Sequence, residues 1–213
     1  NAATFTQTGI LTVSGNTVTV TNDAGAFTGA LTLSGSAATF SLAQNYAIPT
    51  LVVNSAGTVT VVGNPTTTTF TLSTGTAFTN TAGTLAMGRH NLSITAGTFT
   101  FTAGAITQGA GILTFNTGGA ITFPASGFSI DNLTVNTAFT AGTSAFTVVK
   151  ALIVSGTITT SATGKLTLGD GCLVTRTANA ATLTRVPTFG ANTDLRYSTY
   201  TGGVDIVAAN EVP

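Results

Sequence analysis

Residues 9–20 read GILTVSGNTVTV: two short runs in which apolar and polar residues alternate, joined by Ser14-Gly15-Asn16, with no charge. Alternation with a period of two marks a half-buried strand, and Ser-Gly-Asn marks the turn between two of them. The cadence repeats along the chain. An apolar-x-apolar triplet opens at Leu11, Leu31, Leu51, Phe70, Leu92, Leu113, Leu133 and Leu152, so that like positions recur almost evenly. A second apolar series follows at Val18, Phe40, Val59, Phe78, Phe99, Ile121, Phe139 and Ile158. A third runs through Phe27, Ile48, Leu85, Ile106, Phe128, Phe146 and Leu166, and is indistinct in the fourth cycle, around its run of threonines.

Each cycle of about 20 residues thus carries three short strands separated by Gly, Ser, Asn or Ala-Gly corners. Strands this short cannot bury an apolar side singly, but wound into a coil they lay it into one continuous column. The spacing predicts an all-β fold: a three-faced parallel β-solenoid of about ten coils. At roughly 4.8 Å per coil, that is a rod on the order of 48 Å long. The triplet series is its predicted core ladder. A β-sandwich is the alternative, and it would want longer strands paired antiparallel. After Ile158 the beat loosens. The tail from residue 191 differs in kind, with two of the three Tyr and four charges at Asp194, Arg196, Asp205 and Glu211. The organisation expected is therefore a solenoid over 1–190 and a capping or subunit-linking segment over 191–213.

Charged residues make up 6% of the chain, against about 25% in an ordinary soluble domain. Six basic and six acidic side chains cancel, so no footprint for nucleic acid or an anionic membrane is present. Mean hydropathy is positive, yet Thr, Ser or Gly interrupts every apolar run, and no membrane insertion is expected. With no Trp and three Tyr, the aromatic girdles of a membrane barrel are missing. One cysteine, Cys172, excludes an internal disulfide and reads as a buried, inert thiol. The first residue is Asn1, as in a mature secreted protein or an excised fragment, and scarce Lys and Glu beside abundant Thr, Gly and Asn lean extracellular.

Chemistry is sparse. Enzymatic solenoids need clustered carboxylates, whereas Asp23, Asp131 and Asp170 fall in different cycles, Asp23 and Asp170 in ordinary turn sequences. The one histidine, His90, is expected to project from a corner with Arg89, and Arg176 and Arg185 to pair with Asp170 or Asp194 at the surface. No catalytic residue, metal site or cofactor is predicted, and the chain is not expected to be an enzyme. NLS at 91 and NLT at 132 match the N-glycosylation pattern, as accident alone allows in a Thr-rich chain. Thr19, Thr39, Thr60, Thr79, Thr100, Thr122, Thr140 and Thr159 recur once per cycle and should form an outward ladder. A T-x-T array suits ice binding. Ala37, Ala77, Ala120 and Ala138 interrupt it, and β-branched Thr is ordinary on any exposed sheet face.

Both tips of a solenoid expose strand edges over an apolar cross-section. With no capping helix legible, another copy stacked head to tail is the predicted partner, and such a contact does not close. The segment predicted to mediate it comprises Leu195, Tyr197, Tyr200, Val204, Ile206 and Val212. The stretches LTVNTAFT and ALIVSGTITTSATGKLTLGDG, followed by LRYSTYTGG and NEVP, resemble Thr/Gly-rich solenoid regions of secreted surface proteins of Bacteroidota-type bacteria. That resemblance implies an adhesive or structural role outside the cell, with glycans or other surface components as further partners, and it transfers no catalytic residue. The expected function is a structural subunit of an extracellular filament or surface appendage. The alternatives are an adhesin segment of a larger surface protein and an ice-binding module.

Overall fold

Leu11 lies beside Leu31, and Leu31 beside Leu51, in parallel register, one cycle apart each time. From this pairing the whole architecture follows. The computed structural model describes residues 6–7, 9–14, 18–19, 26–63, 66–95, 97–119, 121–178 and 181–197. These residues are all β, without a helix, and wind into a parallel β-solenoid of about eight turns, slightly fewer than the ten expected.

Three faces recur in fixed order. The first stacks Leu11–Val13, Ala30–Leu33, 50–53, 77–80, Thr98–Phe101 and Ile121–Thr122, then continues through Phe139–Thr140 and Ile158–Thr159. The second stacks Val18–Thr19, Thr39–Leu42, 58–63, 84–88 and Ala105–Gln108, then 128–130, 146–148, Leu166–Leu168 and Thr188–Phe189. The third runs from Thr6–Gln7 and Ala26–Phe27 through 46–48, 71–74, Asn91–Ile94, Leu113–Phe115, 132–135 and 151–154 to Leu173–Arg176 and Asp194–Tyr197. Extended backbone continues round two corners in Tyr46–Gly63 and Thr71–Gly88, each of 18 residues.

The expected core ladder is corrected at one point. Leu51 lies beside Phe78, not beside Phe70. Tyr46 lies beside Leu72 and Val59 beside Leu85, both further along the chain than one ordinary cycle, whereas Leu92 follows Leu72 at the usual interval. The coil that includes the stretch between Gly63 and Thr71 is therefore longer than its neighbours by about one face. Leu11, Leu31 and Leu51 belong to the first face. Leu92, Leu113, Leu133 and Leu152 stack on the third, above Leu72. Phe70 sits just outside the paired strand, where its carbonyl accepts the Asn91 N–H at 2.9 Å. Asp194–Tyr197, in the tail segment set apart from residue 191 on, pairs in register with Leu173–Arg176, so paired rungs continue to residue 197.

Inward positions alternate along every face and form one apolar column from Phe27 to Leu183. Its middle is aromatic. Phe78 stacks on Phe99 at 5.0 Å and Phe123 on Phe128 at 4.9 Å, while Phe115 meets Phe99 edge-on at 5.2 Å. Each buried Leu, Val or Phe contributes about 1.5–3 kcal/mol, and aromatic pairing adds about 0.5–1.5 kcal/mol.

Corners stack as closely as strands, which selects glycine. At the corner between first and second faces, Gly104 has φ +94° and a Cβ there would lie 1.9 Å from the Gly83 carbonyl oxygen. Replacing it forces both a disfavoured backbone and a collision between coils. Gly104→Ala should cost at least about 1–3 kcal/mol from the backbone strain alone, whereas Gly75→Ala, with its nearest neighbour 4.0 Å away, should stay within about 0.5 kcal/mol. Urea unfolding midpoints of the two variants test this ordering.

Candidate functional site

The outward side chains, the corners and the two end rungs are the places where this coil meets anything else. On the first face Thr32, Val52, Thr79, Thr100 and Thr122 form one unbroken column, with Ala30, Thr50, Ala77 and Thr98 alongside. On the second, Thr39, Thr60, Ala86 and Thr107 form another, and Ser129, Thr147, Thr167 and Thr188 stack beyond it. The expected single Thr ladder is thus distributed over two faces. Thr19 lies beside Ser41, Thr39 beside Thr60, Thr79 beside Thr100, Thr100 beside Thr122, and Thr140 beside Thr159. Thr60, Thr122 and Thr140 are exposed, and Thr39, Thr79, Thr100 and Thr159 half-buried. The face slip between Gly63 and Thr71 divides the ladder as it divides the core.

Polar side chains at the corners are engaged in holding one coil to the next. Between the second and third faces, Asn45 accepts the Thr71 N–H at 2.7 Å and His90 Nδ1 the Phe70 N–H at 3.1 Å. Asn91 accepts the Ile112 N–H at 3.0 Å, Gln108 the Asn132 N–H at 3.0 Å, and Asp170 the Ala191 N–H at 2.8 Å. Between the third and first faces, Asn136 donates to Asn116 at 2.7 Å and Asn116 to Ser93 Oγ at 2.9 Å. Both sequon asparagines thereby serve the structure, Asn91 as an acceptor and Asn132 by donating to the Gly111 carbonyl at 3.0 Å.

His90 does not project from its corner. Only 3% of its surface is exposed, and its ring stacks on Phe70 at 6.0 Å. Gly88, at φ +57°, turns the chain so that Arg89 points outward and His90 inward. Arg176, expected at the surface, is buried beside the last rungs. Asp131 forms a 2.6 Å ion pair with Lys150 from the next coil, an exposed pair worth about 0–1 kcal/mol. The described carboxylates Asp131, Asp170 and Asp194 stand on separate coils. Sequence reasoning missed the corner acceptors because Asn, Gln and His in turns have the same spacing whether they face water or the next coil.

At the two ends, rungs pair on one side only among the described residues. Thr6–Gln7, Leu11–Val13 and Val18–Thr19 have partners only in the following coil, and Thr188–Phe189 and Asp194–Tyr197 only in the preceding one. Ile10, 74% exposed, stands at the first end. At the other, Val174, Arg176, Leu183, Phe189 and Leu195 enclose a small apolar cavity of about 20 Å³. Of the predicted assembly segment, Leu195 packs partly buried against the core, and the backbone of Tyr197 completes the last described rung. Tyr200, Val204, Ile206 and Val212 lie outside the described residues.

Cys172 is fully buried, and burial pushes its thiol up to about 11. The thiolate is the reactive form, so the native thiol should react with a disulfide reagent at pH 8 far more slowly than an unfolded control. Loss of that difference would place Cys172 at the surface. No protein-family model, curated protein or solved structure matches this chain.

Proposed function

We propose that the chain is a structural subunit of an extracellular filament or surface appendage, assembled by head-to-tail stacking of solenoid ends. The observation that carries this reading is that, among the described residues, half-paired parallel rungs stand at both ends of a continuous apolar column. A second copy placed on the last coil continues each ladder in the same direction. Its Leu11–Val13 follows the first face, its Val18–Thr19 the second and its Thr6–Gln7 the third. Covering apolar side chains yields about 25 cal/mol per Å² before the cost of association, and repetition of a heterologous contact gives an open polymer. The role is mechanical: stacked parallel backbone ladders, an apolar core and a coat poor in charge.

A second reading is favoured by the uncharged first-face column Thr32, Val52, Thr79, Thr100 and Thr122. In it the chain is an adhesin segment of a larger secreted protein, holding a glycan or surface through that face. Ice binding is its less favoured variant, because Val52 and Ala77 interrupt the hydroxyl array.

Electron microscopy and sedimentation of the purified chain separate these readings. Stacking predicts unbranched rods of variable length that shift to monomer in Ile10→Lys, whereas a monodisperse monomer at high concentration overturns it. In the second reading the monomer retains its ligand, and Thr100→Tyr abolishes retention or, for ice, thermal hysteresis, while leaving the fold intact.

A further inference from the structure

One coil gains a full face's length of chain between Gly63, where its second face ends, and Thr71, where its third begins. Thr66, Thr67, Thr68 and Thr69 in this excursion are exposed. Two neighbouring side chains of the next coil hold it. Arg89 Nη1 donates to the Thr67 carbonyl at 3.0 Å. His90 Nδ1 accepts the Phe70 N–H at 3.1 Å, and its imidazole lies against the Phe70 ring, 14° from parallel. The space for that imidazole comes from Gly63, where a Cβ would stand 2.7 Å from His90 Cε1. Since Nδ1 accepts, the ring is neutral and carries its proton on Nε2.

We propose that His90 makes this attachment an acid-sensitive clasp, closed while the imidazole is neutral and opened by its protonation, which frees residues 66–70 from the rod. The step is a single proton uptake at Nδ1. It converts the acceptor of the Phe70 N–H into a donor, so that two N–H groups face each other, and it places a cation in a buried site beside Arg89. Among the described residues packed against His90, Arg89 is the one charged group. The coil on one side contributes Gly63 and Phe70, and the coil on the other Gly111, none of which titrates. No carboxylate among them compensates a positive imidazole. Burial, reinforced by the Arg89 charge, accordingly holds its pKa below the ordinary 6.5. The sign follows. The open form takes up a proton at the ordinary pKa and the closed form only below it, so closure is fully stable above the ordinary pKa and is lost as pH falls through the depressed value. The inference stands independently of filament assembly, since it concerns one coil within the rod.

Residue-resolved amide exchange and imidazole titration by NMR on the whole chain test it. Between the ordinary and depressed pKa, protection of the Phe70 amide, corrected for intrinsic rate, should fall about tenfold per pH unit. The Ile112 amide, whose acceptor Asn91 does not titrate in this range, should keep its protection. His90→Asn, which offers a non-titrating acceptor near the Nδ1 position, should hold Phe70 protection flat with pH. His90→Gln, equally non-titrating but one methylene longer, serves as the second variant if the Asn protein does not fold. Phe70 protection that stays constant while the wild-type imidazole titrates would overturn the clasp. So would an equal acid-induced loss in a folded Asn or Gln variant, or an imidazole still neutral at pH 4.

Discussion

Parallel pairing of each coil with the next is the constraint on which the rest of this structure depends. A peptide group in a strand of the rod has a neighbour above and below at about 4.8 Å, so every inward side chain must stand over another and every corner over another corner. The same spacing that leaves Phe78 and Phe99 stacked at 5.0 Å brings the Gly83 carbonyl to within 1.9 Å of where a Gly104 side chain would begin. Where the peptide ladder breaks at the second-to-third corner, donors on one coil would be stranded between layers. An unpartnered buried N–H costs about 1–3 kcal/mol. Asn45, His90, Asn91, Gln108 and Asp170 each supply an acceptor there. These five corner side chains are thus part of what holds one coil to the next.

The fold is legible because the constraint writes itself into sequence. A coil that must put Leu over Leu every turn repeats Leu every turn, and alternation within each run shows which side faces in. What cannot be read is the face. Each of the three series has the same style, and a cycle divides into three nearly equal steps, one per face. The additional length between Gly63 and Thr71 amounts to one such step. The beat therefore continues across the insertion undisturbed while every later member of each series falls on the preceding face, and only pairing reveals that Leu51 is followed by Phe78. The faint third series in that cycle is the one trace of it. His90 escapes for a related reason. In MGRHN the direction of a side chain depends on the positive φ at Gly88, and that dihedral has no signature beyond the glycine itself.

A parallel coil also has a direction, and this bears on how copies can meet. Its first and last rungs carry different sequences on the same three faces, with Leu11–Val13 at one end of the first face and Leu183 near the other. A two-fold contact between like ends reverses strand direction across the seam. It replaces the register that every internal layer uses, and does not repeat the corner pattern in which an acceptor such as Asp170 meets an N–H of the next coil. Translation along the axis preserves direction, face order and the alternation of inward and outward positions together. Only the unlike-end contact repeats across a seam what already holds each coil to its neighbour, so it is the geometry that the proposed stacking requires.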